Sequence, residues 1–600
     1  MSENERKSGR DDSLDPVVTS VIASRLEGIG RKMGTTIERS ARSPLLVEGR
    51  DFSVGIYDAN GVLIHQTEYI PILGYATAPG VQQVIDAFEG DINEGDVMLH
   101  NDVFTGGNQP SDWKVLKPVF VEDELVAWTV INAHQADVGG SVPGSYNPDA
   151  TEIWQEALRI PPVKLYDGGE RRDDVWELIF GNVRLDVVSD DVRAMIGGCT
   201  VGERNLHELL ERYDVETFHR HKSELLDSTE KMVREGIQEI PDGTYESEVP
   251  VVDDGFDHER EMTIAVTIEV AGETMSFDFA GTTDQTPGYV NAPRAVTMSS
   301  VMITIFMILE EHIPHNDGIL RCVDIDIPSG SMLNPDFPAA SAFGNHLSDQ
   351  ICTVIMDALA DAVPKRVTAG WNPLLCGLVS GIDPRIDEPY VDLILNGTKG
   401  GSGGTYNADG YDHIGLIASG GAIAAQDPEM FEIQDPHFLH HYEFEQDSAG
   451  AGRWRGGLGV RTEFEFLADG VEASIFGDGD STETAAPGLF DGLRGSPNAL
   501  ELEYPDGDTY EPELKELVGG IPKGTTWKQV AGGGGGYGNP LERPVETVAE
   551  DVRNGLISPE AAKSEYGVVV TKDGTVNTDQ TEQLRRELAP TDLEVVDADS

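Results

Sequence analysis

Apolar residues recur at helical spacing after a polar start, at Val17, Val21, Ile22, Leu26, Ile29 and Met33, which predicts a long amphipathic helix over 16–41. From Asp51 to about Ala133 the period shortens. The runs DFSVGIYD, GVLIHQ, GDVMLHND, LKPVFV and LVAWTVIN, separated by Gly, Asn and Asp turns, predict a sheet. ATEIWQEALR (150–159) reads as a helix, and 201–240 as one or two more. Strand patterns return over 241–284. The stretch 296–309, VTMSSVMITIFMIL, is apolar on every side yet shorter than the roughly 20 residues that cross a bilayer, so it predicts a buried helix. Ile351, Val354, Ile355, Leu359 and Ala362 form the stripe of another helix over 349–362. Beyond 391 the chain becomes glycine-rich and β-like. The last predicted helix spans 558–566, with Ser558 at its N-cap and Pro559 at its first position.

The predicted class is α/β (mixed α+β): several layers of mixed sheets with covering helices and a Gly-rich, β-dominated C-terminal part. The reading divides the chain into a disordered start (1–13), an N-terminal α/β region carrying the active-site loops (14–240), a central α/β region (241–390), the Gly-rich β region (391–578) and an acidic flexible tail (579–600). No 20–50-residue period is present, which disfavours a solenoid.

Charge narrows the function. The net charge is −63, spread along the chain, and 29 Arg accompany only 14 Lys. Nothing here neutralises phosphates, so nucleic-acid binding is excluded. A uniformly acidic, Lys-poor surface suits concentrated salt, where repulsion is screened, and points to a halophilic cytoplasm. Four scattered cysteines form no CxxC, which fits a reducing compartment. MSENERKSGRDDSLDP has no apolar h-region, so no secretory signal is expected, nor any membrane association.

Four constellations carry candidate chemistry. NDVFTGGNQPSD (101–112) follows an apolar strand and places Asp102 and Asp112 on a loop, where either catalysis or plain Asx-turn geometry would use them. NAHQADVGG (132–140) ends the next strand with His134 and Asp137 beside Gly139 and Gly140. A nitrogen and a hard oxygen at that spacing suit Mn or Zn if Glu68 and Asp112 converge on them; a satisfied core histidine is the alternative. Glu152 and Glu156 share a face of the 150–159 helix, with Arg159 beyond, either in a pocket or as a solvated ion pair. In DPHFLHHYEF, strand alternation puts His437 and His441 on one face and His440 on the other, a structural reading. The glycine runs 399–404, 455–459 and 532–536 match neither GxxxxGK[ST] nor GxGxxG, but the amides of loops such as Gly456–Gly457 can stabilise an oxyanion.

Taken together, ARSPLLVEGRDFSVGIYD (41–58), HNDVFTGG with Asp112, AHQADVGGSVPGS (133–145), ATEIWQEALRIPPVKL (150–165), DFAGTTDQTPGYVNAP (278–293), IPHNDGILR, DSAGAGRWRGGLG and GGGGGYGNPLER resemble the hydantoinase B/5-oxoprolinase family along the whole chain. The resemblance implies the B-type component of an ATP-dependent cyclic-amide hydrolase. It would work in a hetero-oligomer with a hydantoinase A-type ATPase that consumes ATP and phosphorylates the substrate, and this chain would then hydrolyse the activated amide. It implies hydrolytic machinery at His134, Asp137 and Asp112 and a metal held by a His-x-x-Asp pair that His134 and Asp137 match, with Glu68 as a third ligand. Joined to the residue readings above, the expected site comprises catalytic Asp102, Asp112 and Glu156, a divalent metal (Mn or Zn) at Glu68, Asp112, His134 and Asp137, and a substrate or oxyanion loop at Gly139, Gly140, Gly456 and Gly457. The family is also related to acetone carboxylase α subunits, which keeps a carboxylase as the alternative reading; a non-catalytic scaffold for the ATPase is a third. Gln109, Gln135 and Ile72 stand where family members customarily carry imidazoles.

Overall fold

The structure is a computed structural model that describes residues 14–67, 69–309 and 312–588. The expected disordered start, Glu68 and residues 589–600 lie outside the described residues.

Four sheets organise the molecule. The largest has seven antiparallel strands in the order Leu63–Thr67, Phe52–Asp58, Glu124–His134, Asp112–Val121, Val97–His100, Val163–Asp167 and Glu170–Arg171. Its three central strands are buried over nearly their whole length because both faces are covered. On one side, Ile22, Leu26, Met33 and Ile37 of the helix Pro16–Ser40 and Val192, Met195 and Leu206 of the helix Val187–Tyr213 pack on Phe52, Val54, Ile56, Val115 and Ile131. On the other, Tyr57, Leu63, Leu116, Trp128 and Val130 join the core built by the apolar helix Arg294–Ile308 and the helix Ser348–Leu359. This second core explains why 296–309 is apolar on every side. Among the described residues no helix is long and apolar enough to cross a membrane.

A second sheet, with one parallel pair, runs Val323–Asp326, Thr274–Asp278, Met262–Ala271 and Gly243–Val251. The third joins Glu388–Leu393 and Leu375–Asp383 to Val471–Gly477 and Lys515–Ile521, and the fourth contains His437–Phe444, Val460–Phe466, Thr526–Ala531, Ala499–Glu503 and Thr509–Tyr510. The glycine runs interleave. Gly401 donates to the Gly532 carbonyl, Gly404 to Gly535, Gly450 to Gly534 and Gly534 to Gly457, so backbone packs on backbone with no room for side chains. A Cβ on Gly456 would sit 1.9 Å from the Gly534 oxygen, and one on Gly457 1.9 Å from the Tyr411 oxygen.

Several elements differ from the sequence pattern. The predicted 150–159 helix is a single turn, Ile153–Glu156, because the Glu156 side chain is buried on backbone amides and Pro161–Pro162 follow. The helical layer begins at Val187 and breaks at Asp214, whose φ of 52° stops one helix before Val215–Ile237 starts. After Pro559–Ser564, capped by Ser558 as expected, a further helix Thr578–Leu588 covers the beginning of the stretch read as a fraying tail; Arg585 ties it down by donating to the Tyr566 and Arg543 carbonyls. A bulge between Leu439 and His441 breaks the alternation of the edge strand, so His437 is buried while His440 and His441 face outward.

Candidate active site

Register builds the site. The strand Asp112–Val121 begins and the strand Glu124–His134 ends at one rung of the large sheet, and Asp112 is paired directly with His134. Their side chains meet, with His134 Nδ1 2.8 Å from Asp112 Oδ1. The other Asp112 oxygen accepts from the Asn108 amide, whose own oxygen accepts from Lys114 Nζ at 2.9 Å and from Asn132 at 3.2 Å. The result is a buried chain Lys114–Asn108–Asp112–His134. Burial lowers the Lys114 ammonium to about 8 against the pull of Asp112. Burial works against a charged His134, but the hydrogen bond and charge of Asp112, with the charge of Asp51, raise its pKa overall.

Asp51 immediately precedes the neighbouring strand Phe52–Asp58, and its carbonyl accepts from the His134 amide at 3.1 Å. Burial raises the Asp51 carboxyl to about 6, His134 opposing and Asp112 adding to the shift. Opposite stands Tyr146, stacked on Phe476 with ring centroids 3.9 Å apart. Its hydroxyl lies 2.9 Å from His346 Nε2 and accepts from the Gln109 amide. Burial, helped by His134, depresses the His346 pKa to about 3, so that ring is neutral.

Asp51, Gln109, Asp112, His134, Tyr146 and His346 line one cavity, with Lys114 and Asn108 outside its lining. Its remaining wall is mostly aliphatic, including Ile70, Leu374, Leu393 and Leu416, and among the described residues no Lys or Arg contributes to the lining. The cavity therefore offers a proton-handling pair, a carboxyl and a phenol to an uncharged, largely apolar guest.

The other expected residues lie elsewhere. Asp137 does not reach the cavity: one oxygen takes Arg184 Nη1 (3.0 Å) and the Gly144 amide (3.2 Å), the other the Arg184 amide (2.6 Å). It is a clamp for the loop after His134. Asp102 caps the turn Val103–Thr105 and binds Arg159 Nη2 at 2.6 Å, so Arg159 serves Asp102 and not Glu156. Glu156 accepts from the Ser341 and Ala342 amides at 2.8 and 2.9 Å, anchoring the segment that carries Asn345 and His346. Burial pushes the Glu156 carboxyl to about 8 even though these donors oppose the shift. Gly139 and Gly140, at φ of 80° and 81°, form a turn packed on Asn182 and Glu156, away from the cavity. Gly456 and Gly457 are stacked inside the glycine layers.

Metal coordination was expected at Glu68, Asp112, His134 and Asp137. Both Asp137 oxygens are taken up by Arg184 and loop amides, and both Asp112 oxygens by His134 and Asn108. Among the described residues no three His, Cys, Asp or Glu side chains are placed to hold a metal ion. Glu68, one of the four expected ligands, lies outside the described residues; within them Asp112 and His134 form a hydrogen-bonded dyad. Asp51, Tyr146 and His346 were not singled out from sequence. Asp51 carries the one available signal, an acid immediately before the β-rich run Phe52–Asp58, whose sheet neighbour ends in His134.

The model of the family described as Hydantoinase B/oxoprolinase matches residues 15–540. The β subunit of a caprolactamase from Pseudomonas jessenii is 36% identical over 586 residues, covering 94% of this chain and 98% of that protein. The crystal structure of that organism's ATP-dependent caprolactamase superimposes with a TM-score of 0.90 at 34% identity, covering 96% of this chain and 100% of that one. One component of a putative D-/L-hydantoinase from Pseudomonas sp. (strain NS671) is 31% identical over 597 residues, covering 96% and 98%. A nucleotide-free acetone carboxylase shares the fold, with a TM-score of 0.86 at 21% identity over 96% of this chain and 83% of that one. By the match over most of its length and by these relatives, the chain belongs to the hydantoinase B/oxoprolinase family.

Proposed function

We propose that this chain is the hydrolytic subunit of an ATP-dependent cyclic-amide hydrolase and that its substrate is a neutral lactam with a hydrocarbon ring. The observation that carries this reading is the Asp112–His134 dyad set in the wall of a cavity that has a mostly aliphatic lining and, among the described residues, no Lys or Arg. An ionised ring such as 5-oxoproline would leave its carboxylate there without a partner.

Asp112 fixes the His134 ring through Nδ1, leaving Nε2 without a protein partner among the described residues. His134 takes a proton from the attacking water as its oxygen bonds to the ring carbonyl carbon of the O-phosphorylated lactam, and returns a proton to the ring nitrogen as the C–N bond breaks; the acyl phosphate this leaves is hydrolysed by a second water to the free acid and inorganic phosphate. Asp51 and Tyr146 bracket the polar end of the lactam. ATP chemistry is assigned to a separate hydantoinase A-type partner that activates the amide oxygen, because the glycine runs of this chain are filled by their own backbone and offer no phosphate cradle. The family relatives named as subunits support such a partner. We place the complex in a cytoplasm rich in salt, on the strength of the −63 charge.

The test is the reconstituted pair supplied with ATP and, separately, ε-caprolactam, hydantoin and 5-oxoproline. Ring opening of the neutral lactam at the highest kcat/KM is expected, with His134→Ala lowering kcat about 10²–10⁴-fold. Unchanged turnover in His134→Ala, or a preference for 5-oxoproline, overturns the reading.

A further inference from the structure

The helix Ser348–Leu359 separates two hollows. Ser348 lines the catalytic cavity, whereas Asp349, next in the chain, lines a cleft on the other side; Leu374 and Pro373 divide in the same way. Asp349, Thr353 and Asp357 are spaced four apart, so one stripe of the helix points two carboxyls into this cleft.

Asp349 is only 6% exposed; the Ala418 amide donates to one of its oxygens at 3.4 Å, and the Leu374 amide also acts on the carboxyl. Its Oδ2 has no hydrogen-bond partner. A buried carboxylate oxygen without a donor is costly, and one that lines a cleft calls for a donor from outside the chain. The nearby Asp478 is different: Lys515 Nζ (2.7 Å) and the Gln350 amide (2.6 Å) satisfy both of its oxygens. Among the described residues Arg494 is the one cation in the lining. Its Nη1 donates to the Ala485 carbonyl, and its charge acts on Asp357 and not on Asp349.

The walls identify the guest. Val249, Pro250, Pro373 and Pro487 are apolar, and Trp371 adds an aromatic ring. No three His, Cys, Asp or Glu groups among the described residues converge at ligating distance, so the cleft does not match a bare metal ion. Asp349, with Asp357, Glu248 and Glu483 also in the lining, makes the cleft acidic beside its apolar and aromatic walls, the complement of a short alkyl chain ending in a positive, hydrogen-bearing nitrogen.

We infer that this cleft binds a small primary organic ammonium, its nitrogen donating to Asp349 Oδ2 and its carbon chain lying against Trp371 and the prolines. The inference stands apart from the proposed hydrolysis, although opening a lactam releases a molecule with this group. Two sources are conceivable, the ring-opened product and an unrelated alkylamine.

The test is calorimetric titration of the full chain with n-butylammonium chloride at constant ionic strength, with n-butanol as the uncharged comparison. Saturable binding of the ammonium is expected, at least tenfold weaker for n-butanol and at least tenfold weaker in Asp349→Asn. Thr353→Phe, which fills the cleft and leaves Asp349 in place, is expected to abolish binding as well and covers the case in which Asp349→Asn folds poorly. Glu501→Gln, remote from the cleft, is expected to bind like the parent. Absence of saturable binding to the parent, or undiminished binding in folded Asp349→Asn or Thr353→Phe, overturns the inference. Competition by 6-aminohexanoate assigns the site to the ring-opened product; failure to compete assigns it to a free alkylamine. Neither result depends on turnover, so a failed hydrolysis reading and a failed ammonium site are told apart.

Discussion

The dyad is sensitive to single atoms. Asp112→Asn keeps the side-chain shape but can present an amide N–H to Nδ1 and favour the wrong ring tautomer; kcat is expected to fall about 10²–10⁴-fold with little change in KM, read from steady-state kinetics of the reconstituted complex. Tyr146→Phe removes a hydroxyl that joins Gln109 to His346 but keeps the stack on Phe476. A stability loss of about 1 kcal/mol is expected from chemical denaturation, and a loss beyond about 3 kcal/mol would mean the ring stack itself is disturbed. At this scale the sequence was partly legible. The spacing of two apolar strands pointed to the loop acids and to His134, but not to which acid His134 would meet. His134 and Asp137 are three apart in sequence, yet the turn after the strand sends Asp137 to Arg184, whereas Asp112, 22 positions earlier, arrives by sheet register. His346 was invisible, because nothing in SAFGNHLSDQ has a period or motif.

At the scale of elements, the Glu156 turn shows how a buried acid both shapes and holds the site. Its carboxyl is raised from the ordinary 4.5 to about 8, so the folded protein holds this proton more tightly than the unfolded chain does. Its contribution to stability is therefore greatest below about pH 4.5 and declines as pH rises toward 8. Glu156→Gln is expected to flatten that part of the stability–pH curve relative to the parent, as followed by urea midpoints across pH 5–8; parallel curves would contradict this. Glycines divide by surroundings. Gly197, inside the helix Val187–Tyr213, has nothing within 4 Å of an added Cβ, and Gly197→Ala is expected to stabilise by about 0.5–1 kcal/mol. Gly456→Ala would place its Cβ 1.9 Å from the Gly534 oxygen, and loss of soluble folded protein is expected, scored by circular dichroism and gel filtration. Composition suggested tight turns or anion loops for both the 455–459 and 532–536 runs; their role as mutually packed layers depends on contacts nearly eighty residues apart.

For the whole molecule, the charge of −63 sets the response to salt. Raising KCl shortens the screening length from about 10 Å at 0.1 M to about 3 Å at 1 M, which weakens repulsion among the surface acids. The melting temperature is expected to rise by about 5 °C or more over that range, and a flat or falling profile would remove the halophilic reading. Sequence alone determined the properties that are local or additive: the charge, the long first helix, the β-rich period of the central strands, the fully apolar helix and the resemblance to a family. Each depends on composition or on residues within a few turns of one another. Only the tertiary structure decided which acid faces His134, that Asp137 and Glu156 are anchors, and that Asp51, Tyr146 and His346 share one cavity. Those outcomes depend on strand register and on packing between segments up to several hundred residues apart, and no local pattern encodes where such segments meet.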